Sequence, residues 1–371
     1  MKKITILALH LGFGGIEKYI SSLCKMLEEN YEVEIISTYK VLEKPAFEFN
    51  NKIKITYLME DKPYIKEMKE AFKQYKFFGA LKYFFRNLKV FYNKLKLNIK
   101  AIKKINSDII ITTRDFHNNL VGKYASSNII KIATEHNYHN YDKKYIDNLI
   151  KSIKNFDYFV VVSNELQNFY KDKVGLTKCV CIPNVIDEVY YEPKYNCNYN
   201  LVSIGRLSKE KGFSDLIDVI KIVKKDIPTI HLNLLGDGSE KENLELKVKT
   251  LELTGNITFF GFKAGKEKEN IILNSSLYVM TSYTESFGIV LIEAMAYGLP
   301  CIAFDSSSGA REVIPQTEML IADRDKKKIS KEIVDLLHNR KKLTNIGKEN
   351  YYYCQKFLSN NIEKEWSKIL K

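Results

Sequence analysis

Two doubly wound α/β units are what this chain of 371 residues predicts, and three observations carry that expectation. Short apolar runs rich in Ile and Val alternate with segments of helical spacing. The same alternation restarts after a polar, aperiodic stretch at 187–198. The length exceeds one ordinary core and fits two domains. In the first half, strands are predicted at 3–9, 33–38, 53–58, 108–113, 129–135, 158–163 and 179–183. They are mostly apolar on both faces, as parallel strands sandwiched between helices should be. Helical spacing fills 16–29 and 141–155. In the second half, strands at 199–204, 229–235, 256–260, 277–280, 300–304 and 319–322 are separated by helices at 212–225, 239–253, 287–297 and 326–339. Repeated βαβ units of this kind favour two parallel sheets flanked by helices. The boundaries that follow are a first domain at 1–186, a linker at 187–198, a second domain at 199–350 and a C-terminal helix at 351–371. Helical spacing runs without a break over 343–370. Its Trp366, the single tryptophan, anchors it against a neighbour on the side of the first domain. Open sheets bind ligands beyond the carboxyl ends of their strands, so function is expected in the strand-to-helix loops of both halves, across a shared cleft.

Composition narrows the class. Hydrophobic residues at 45% and charged residues at 28% exclude a largely disordered chain. Six cysteines without a C-x-x-C pair exclude a disulfide scaffold and read as buried thiols in a reducing compartment. The apolar run after Met1-Lys2-Lys3 enters glycines beyond His10, which marks a first strand rather than a signal peptide. No stretch reaches the roughly 18 apolar residues of a membrane span. The expected location is cytoplasmic, or on a membrane from its cytoplasmic side. The net charge of +13 is local: residues 62–104 hold 13 cations against Glu67 and Glu70, leaving only +2 for the rest.

Chemistry-bearing residues fall in the predicted loops. The first strand runs into His10-Leu11-Gly12-Phe13-Gly14-Gly15-Ile16-Glu17, where glycines and a helix start can meet an anion. The run is G-x-G-G, not the G-x-G-x-x-G of a dinucleotide site. In Ser203-Ile204-Gly205-Arg206-Leu207-Ser208-Lys209-Glu210-Lys211-Gly212, Arg206 and Lys211 bracket a loop that opens a helix. A bidentate guanidinium and a point ammonium there suit a diphosphate. With only six arginines against 52 lysines in the chain, an arginine at this position is informative. Glu285 and Glu293 stand eight residues apart in Thr284–Pro300, on similar sides of a helix, and Glu293 is set in an apolar run. Such a carboxylate requires a partner or a ligand, and sugar hydroxyls would serve. Residues 306–312 open a further helix, either as a second ligand loop or as a plain N-cap. His136 and His139 follow Glu135, but their spacing is not that of a metalloprotease helix.

The Glu-x7-Glu pattern in TESFGIVLIEAMAYGLP, preceded by GRLSKEKGF, resembles the retaining glycosyltransferases of family 4 with the GT-B fold, of the bacterial cell-surface polysaccharide and glycolipid type. GGIEKYI, TEHNYH, IPNVID and LLGDGSE extend the resemblance along essentially the whole chain, with Val185 where a glycine is usual. It implies two Rossmann-like domains facing across a cleft, the first on the acceptor side and the second binding the nucleotide sugar. It also implies roles. Glu293 holds ribose hydroxyls, and Arg206 with Lys211 neutralises the diphosphate. Glu285 with the backbone at Phe287–Gly288 binds the transferred sugar, Ser286 and Ile289 also bind the donor, and Glu285, His136, Arg206 and Lys211 are the catalytic residues. Gly14 and Gly15 lie at the distal phosphate and His136 at the sugar, while Gly236 and Asp237 approach the base or ribose. The implied donor is a UDP-sugar carrying a hexose or N-acetylhexosamine, passed to a saccharide or lipid-linked acceptor. No D-x-D-type pair is placed to hold a metal, so neither a metal nor another cofactor is expected.

Two other readings remain: a GT-B nucleotide-sugar 2-epimerase, which would keep the nucleotide clamp, and a non-catalytic membrane-surface adaptor. The segment 62–104 reads as one or two helices. Leu81, Phe84, Phe85, Leu88, Phe91, Tyr92 and Leu95 form a stripe at helical spacing. That stripe is expected to be mostly core, with the cations opposite it meeting an anionic membrane surface on the inner face of the plasma membrane. Nucleic acid is not an expected partner.

Overall fold

The computed structural model describes residues 1–371 except 75, 76, 187, 188, 190–194, 196 and 307, with Lys66 described in its backbone alone. Most of the linker predicted at 187–198 therefore lies outside the described residues. The chain divides into two compact units. Residues 1–161, 167–182 and 363–371 form the first, and residues 162–166 and 183–362 form the second.

The first unit is built on a parallel sheet of β1 (Lys3–Ala8), β2 (Glu32–Tyr39), β3 (Lys54–Met59), β4 (Ile109–Thr112), β5 (Ile130–Glu135), β6 (Tyr158–Val161) and β7 (Lys178–Cys181). Their order is β3-β2-β1-β4-β5-β6-β7, with Ile4 opposite both Val33 and Ile109. The winding reverses between β1 and β4. Both faces of the central strands are buried, so Ile4, Ile6, Ile109, Ile110 and Ile111 are sealed without alternating with polar residues. The connecting helices are α1 (Gly15–Leu27), α2 (Ile65–Lys73), α3 (Phe77–Ile102), α4 (Asp115–Tyr124), α5 (Lys143–Ile153) and α6 (Asn164–Tyr170).

The second unit repeats the scheme with β8 (Asn200–Ile204), β9 (His231–Leu235), β10 (Ile257–Gly261), β11 (Leu277–Met280), β12 (Cys301–Phe304) and β13 (Leu320–Ile321), ordered β10-β9-β8-β11-β12-β13. Its switch point lies between β8 and β11. The helices are α7 (Phe213–Val223), α8 (Lys241–Thr250), α9 (Gly265–Leu273), α10 (Ile289–Ala296), α11 (Ser308–Val313), α12 (Lys326–His338) and α13 (Arg340–Cys354), while α14 (Ser359–Ser367) begins in the second unit and ends in the first.

Three expectations change. The helix predicted over 287–297 starts at Ile289, because Gly288 adopts a left-handed conformation (φ 80°) that a helix interior does not tolerate. Glu285 therefore lies in the preceding loop and shares no helix face with Glu293. The uninterrupted helix over 343–370 breaks between α13 and α14. There Leu358 turns extended and bridges Ile186, while the buried Phe357 ring meets Phe287 edge-on at 5.4 Å. No proline or glycine marks that break; tertiary contact imposes it. The third change concerns α3, where the predicted core stripe is exposed: Leu81, Phe84, Phe85, Leu88, Phe91, Tyr92 and Leu95 are 46–64% accessible. The face that α3 buries carries Ala80, Asn87, Val90, Asn98 and Ile102 instead.

None of the six cysteines is paired; Cys24, Cys301 and Cys354 are buried, and Cys179, Cys181 and Cys197 are half-buried. The C-terminal segment packs into the first unit, where Lys2 Nζ donates to the Leu370 carbonyl (3.2 Å) and Asn30 Nδ2 donates to Glu363 (2.7 Å). Trp366 in that segment is fully buried. Trp366→Ala is expected to cost about 3–5 kcal/mol and lower the thermal midpoint by roughly 10 °C. Melting followed by circular dichroism checks this, and an unshifted midpoint would remove the anchoring role.

Candidate active site

In the second unit the predicted residues gather at the carboxyl edge of the sheet. After β8 the chain turns through Gly205 into Arg206, and after β9 it passes through Gly236 and Asp237. The two loops touch: Leu207 N–H donates to the Asp237 carbonyl (2.9 Å). A Cβ on Gly236, whose φ is 138°, would stand 1.9 Å from the Gly205 carbonyl oxygen, so only glycine permits this approach.

Arg206 is largely exposed (72%) and pairs with Glu210 at 2.9 Å. Lys211 is mostly covered and forms a hydrogen-bonded ion pair with Glu285, which is covered to a similar degree. The four charges of Arg206, Glu210, Lys211 and Glu285 cancel. Glu293, on α10, is held by Lys268 of α9 at 2.6 Å, both side chains about one-fifth exposed. The apolar run around Glu293 thus supplies its carboxylate with a cation from another helix.

The loop carrying Glu285 is braced from behind. The Glu285 carbonyl accepts from Gly309 N–H (2.8 Å) and Ser308 Oγ (3.1 Å), so Ser308 and Gly309 act here as a buttress. Ser306 Oγ donates to the Ser282 carbonyl (2.8 Å), and Ser307 lies outside the described residues. Arg324 donates to the Thr281 carbonyl (2.8 Å), the Ser282 carbonyl (3.1 Å), Ser306 Oγ (2.8 Å) and Asp215 (2.6 Å). Its guanidinium carbon lies 3.6 Å from the Tyr283 ring centroid, and the Tyr283 hydroxyl donates to Asp215 (2.7 Å). Burial alone would raise the Asp215 carboxyl, but hydrogen bonds from Lys326, Arg324 and Tyr283 prevail and bring it down to about 2.

In the first unit, Gly14 is extended and α1 begins at Gly15. Glu17 is buried in the first turn between His10 Nδ1 (3.4 Å) and Arg114 Nη2 (3.5 Å), where a carboxylate also faces the positive helix end. His136 follows β5 with its ring 4.1 Å from that of Tyr19 on α1, and its Nε2 is 3.0 Å from Thr134 Oγ1. Burial, with the nearby Arg114 charge, pushes His136 down to about 3, so it is a neutral hydrogen-bonding ring at physiological pH. Glu135 accepts from the backbone N–H groups of His136 (2.8 Å) and Asn137 (2.7 Å) and from the Tyr145 hydroxyl (2.7 Å), which shapes the turn. His139 is buried and stacks on Phe169 at 3.8 Å, a packing position. Among the described residues, no group of three or more His, Cys, Asp or Glu side chains could hold a metal ion.

Gly14, Gly15 and His136 thus belong to the first unit, while Arg206, Lys211, Gly236, Asp237, Ser286, Phe287, Gly288, Ile289, Glu285 and Glu293 belong to the second. Sequence reasoning missed Lys268, Arg324, Glu17 and Arg114. The scarcity of arginine could have flagged Arg324 and Arg114. Nothing in the spacing distinguishes Lys268 from its neighbours.

Comparison with known proteins defines the class first. The model for glycosyl transferases group 1 matches residues 192–352, and that for Glycosyltransferase Family 4 matches 13–189, so the boundary between them falls within the predicted linker. The chain belongs to the family 4 glycosyltransferases of GT-B architecture and is a transferase enzyme. It is 23% identical over 370 residues to an exopolysaccharide phosphotransferase of Streptomyces coelicolor, covering 96% of this chain and 39% of that protein. An uncharacterized glycosyltransferase of Haemophilus influenzae is 26% identical over 381 residues, with full coverage of both chains. Among solved structures, TarM of S. aureus in complex with fondaparinux, alpha-GlcNAc-glycerol and UDP superposes with a TM-score of 0.81 at 15% identity. That match covers 100% of this chain and 99% of TarM.

The Asp215 site has a pH signature. Its folded value near 2 is below the usual unfolded value near 4, so the stabilisation is complete above about pH 4 and is lost as pH falls towards 2. Allowing for partial solvation, the contribution is about 1–2 kcal/mol. Asp215→Asn is expected to flatten the acid limb of a denaturation-against-pH curve over that window, and an unchanged limb would contradict the assignment.

Proposed function

We propose that this enzyme moves a hexose or N-acetylhexosamine, with retention at the anomeric carbon, from a UDP-sugar to a saccharide or lipid-linked acceptor. The product belongs to cell-surface polysaccharide or glycolipid synthesis. The observation that carries the donor side is the pairing of Lys211 with Glu285 and of Lys268 with Glu293 at one edge of one sheet. Breaking a glycosyl–phosphate bond develops negative charge on the departing diphosphate and positive charge on the sugar. Arg206 and Lys211 are fixed cations for the former, together with the amino end of α10, which is electrostatic preorganisation without a metal or another cofactor. Gly14 and Gly15 lie at the distal phosphate, and Gly236 with Asp237 lies at the base or ribose. Ser286, Phe287, Gly288 and Ile289 contribute the loop around the sugar.

Glu285 and Glu293 divide the remaining work. Glu293 accepts from ribose hydroxyls, and Glu285 accepts from the transferred sugar once the diphosphate draws Lys211 away. A covalent double displacement needs two carboxylates flanking the sugar, and with Glu293 given to the ribose only Glu285 is assigned there, which supports attack from the leaving-group face. His136, neutral, donates to or accepts from the sugar. The proposal extends to location: no described helix is long and apolar enough to cross a membrane, and we place the enzyme peripherally on the inner face of the plasma membrane through residues 62–104.

The test is incubation with a panel of nucleotide sugars, with and without saccharide acceptors, followed by the released nucleotide and the anomeric configuration of the product. Isomerised donor without transfer supports the epimerase, and silence across the panel supports the adaptor. Glu293→Ala is expected to weaken UDP binding by about 10-fold or more, read by calorimetry. Glu285→Ala is expected to lower kcat about 100-fold with KM little changed. Equal affinity losses in both variants would reject this division of roles.

A further inference from the structure

Helix α3 is pinned on one face and bare on the next. Asn87 Oδ1 accepts from the Tyr64 N–H (2.6 Å), and Asn98 Oδ1 accepts from the Thr38 hydroxyl (3.1 Å). Between them Val90 packs with Tyr39 and Met59. Two buried amides, eleven residues apart on one side, hold the rotation of the helix about its axis. The sector beside them is the row from Leu81 to Leu95, in which every large apolar side chain is 46–64% accessible. Phe78 continues it at the amino end with 91% accessible. Flanking that row on its other side, at intervals of three, four or seven, stand Lys82, Arg86, Lys89, Lys96 and Lys100. The helix contains no Asp or Glu.

A continuous apolar face of this kind marks a contact surface. Charge decides what covers it. A second copy would set two cation rows against each other with no acid in either helix, and repulsion would oppose the pairing. An anionic bilayer satisfies both sectors at once: phosphate headgroups take the lysines, and the acyl boundary takes the rings.

We propose that α3 is an in-plane membrane anchor whose aromatic and aliphatic row inserts beneath the headgroups of an anionic leaflet while its lysine row lies among them. This rests on the reading of the chain as an enzyme of an anionic membrane surface and changes what holds it there, from surface charge to apolar insertion. Binding then has a salt-sensitive part from the cations and a salt-resistant part from the rings.

Flotation of the full chain with vesicles of phosphatidylcholine, with and without phosphatidylglycerol, at low and high salt, tests the anchor. The parent is expected to float with phosphatidylglycerol vesicles and to retain part of that binding in high salt. The triple variant Phe85→Ser, Leu88→Ser, Tyr92→Ser, altered only at exposed positions, is expected to lose about 100-fold in partitioning at every salt concentration. Its UDP affinity and melting midpoint should stay at parental values. Lys82→Gln with Lys89→Gln and Lys96→Gln is expected to lose the preference for phosphatidylglycerol and keep the salt-resistant remainder. Unchanged binding of the serine variant overturns insertion in favour of charge alone. A parent that ignores vesicles overturns the anchor altogether. Sedimentation then assigns the face to a second copy if the serine substitutions dissolve a dimer. Failure of the glycosyltransferase reading shows separately, as absent UDP binding in a parent that still floats.

Discussion

The guanidinium of Arg324 holds the loop that leads into Glu285, on which the proposed donor side is built. It reaches two consecutive main-chain carbonyls at Thr281 and Ser282, the Ser306 hydroxyl and the Asp215 carboxylate, and its central carbon lies over the Tyr283 ring. A flat group with five donors can serve those partners together; an ammonium cannot. Glu285 stands two residues beyond Tyr283, and its carbonyl is tied to Ser308 and Gly309 from the other side. A carboxylate that is to meet a sugar, as proposed for Glu285, must be held to a fraction of an ångström, and Arg324, Ser308 and Gly309 hold its loop here.

Charge balance is the second constraint. Lys211 lies on Glu285, Arg206 on Glu210 and Lys268 on Glu293. Each cation is partly shielded, and each acid is spared the cost of standing alone in a half-covered site. In the proposed reaction a diphosphate competes for Lys211, and the displaced Glu285 becomes the acceptor that a sugar hydroxyl requires. The exchange ties occupation of the phosphate site to readiness of the sugar site. Glu293 keeps its own lysine, a separate contact for the ribose.

Most of this could be read from the chain, for reasons that differ by residue. Parallel strands sealed on both faces announce themselves as short Ile/Val runs, and every predicted strand has its counterpart within a few residues at either end. Arg206, Lys211, Glu285 and Glu293 stood out because charges beside glycines or inside apolar runs are costly without a purpose. Lys268 did not, since it lies 25 residues from Glu293 on a helix that also carries Lys266, Glu267 and Glu269. The break at Leu358 was equally silent, because a packed Phe357 rather than a helix-breaking residue causes it. Gly288 was visible in the sequence, yet helical periodicity around it concealed that the helix starts one residue later.

The exposed row on α3 shows where periodicity stops being informative. Spacing of three and four identifies a helix face that avoids polar residues, but it is blind to what lies opposite. A face turned to the interior of the unit and a face turned to lipid obey the same pattern. What separates them is the buried polar residue on the other side: Asn87 and Asn98 look like surface positions by type, yet both are buried and hydrogen-bonded. Once those amides claim the inner face, the apolar row must point away from it, and the lysines stand beside the row instead of opposite it. The local charge of 62–104 thereby acquires a direction. It is the rim of an apolar surface, and the proposed anchor rests on an anionic bilayer satisfying rim and surface together.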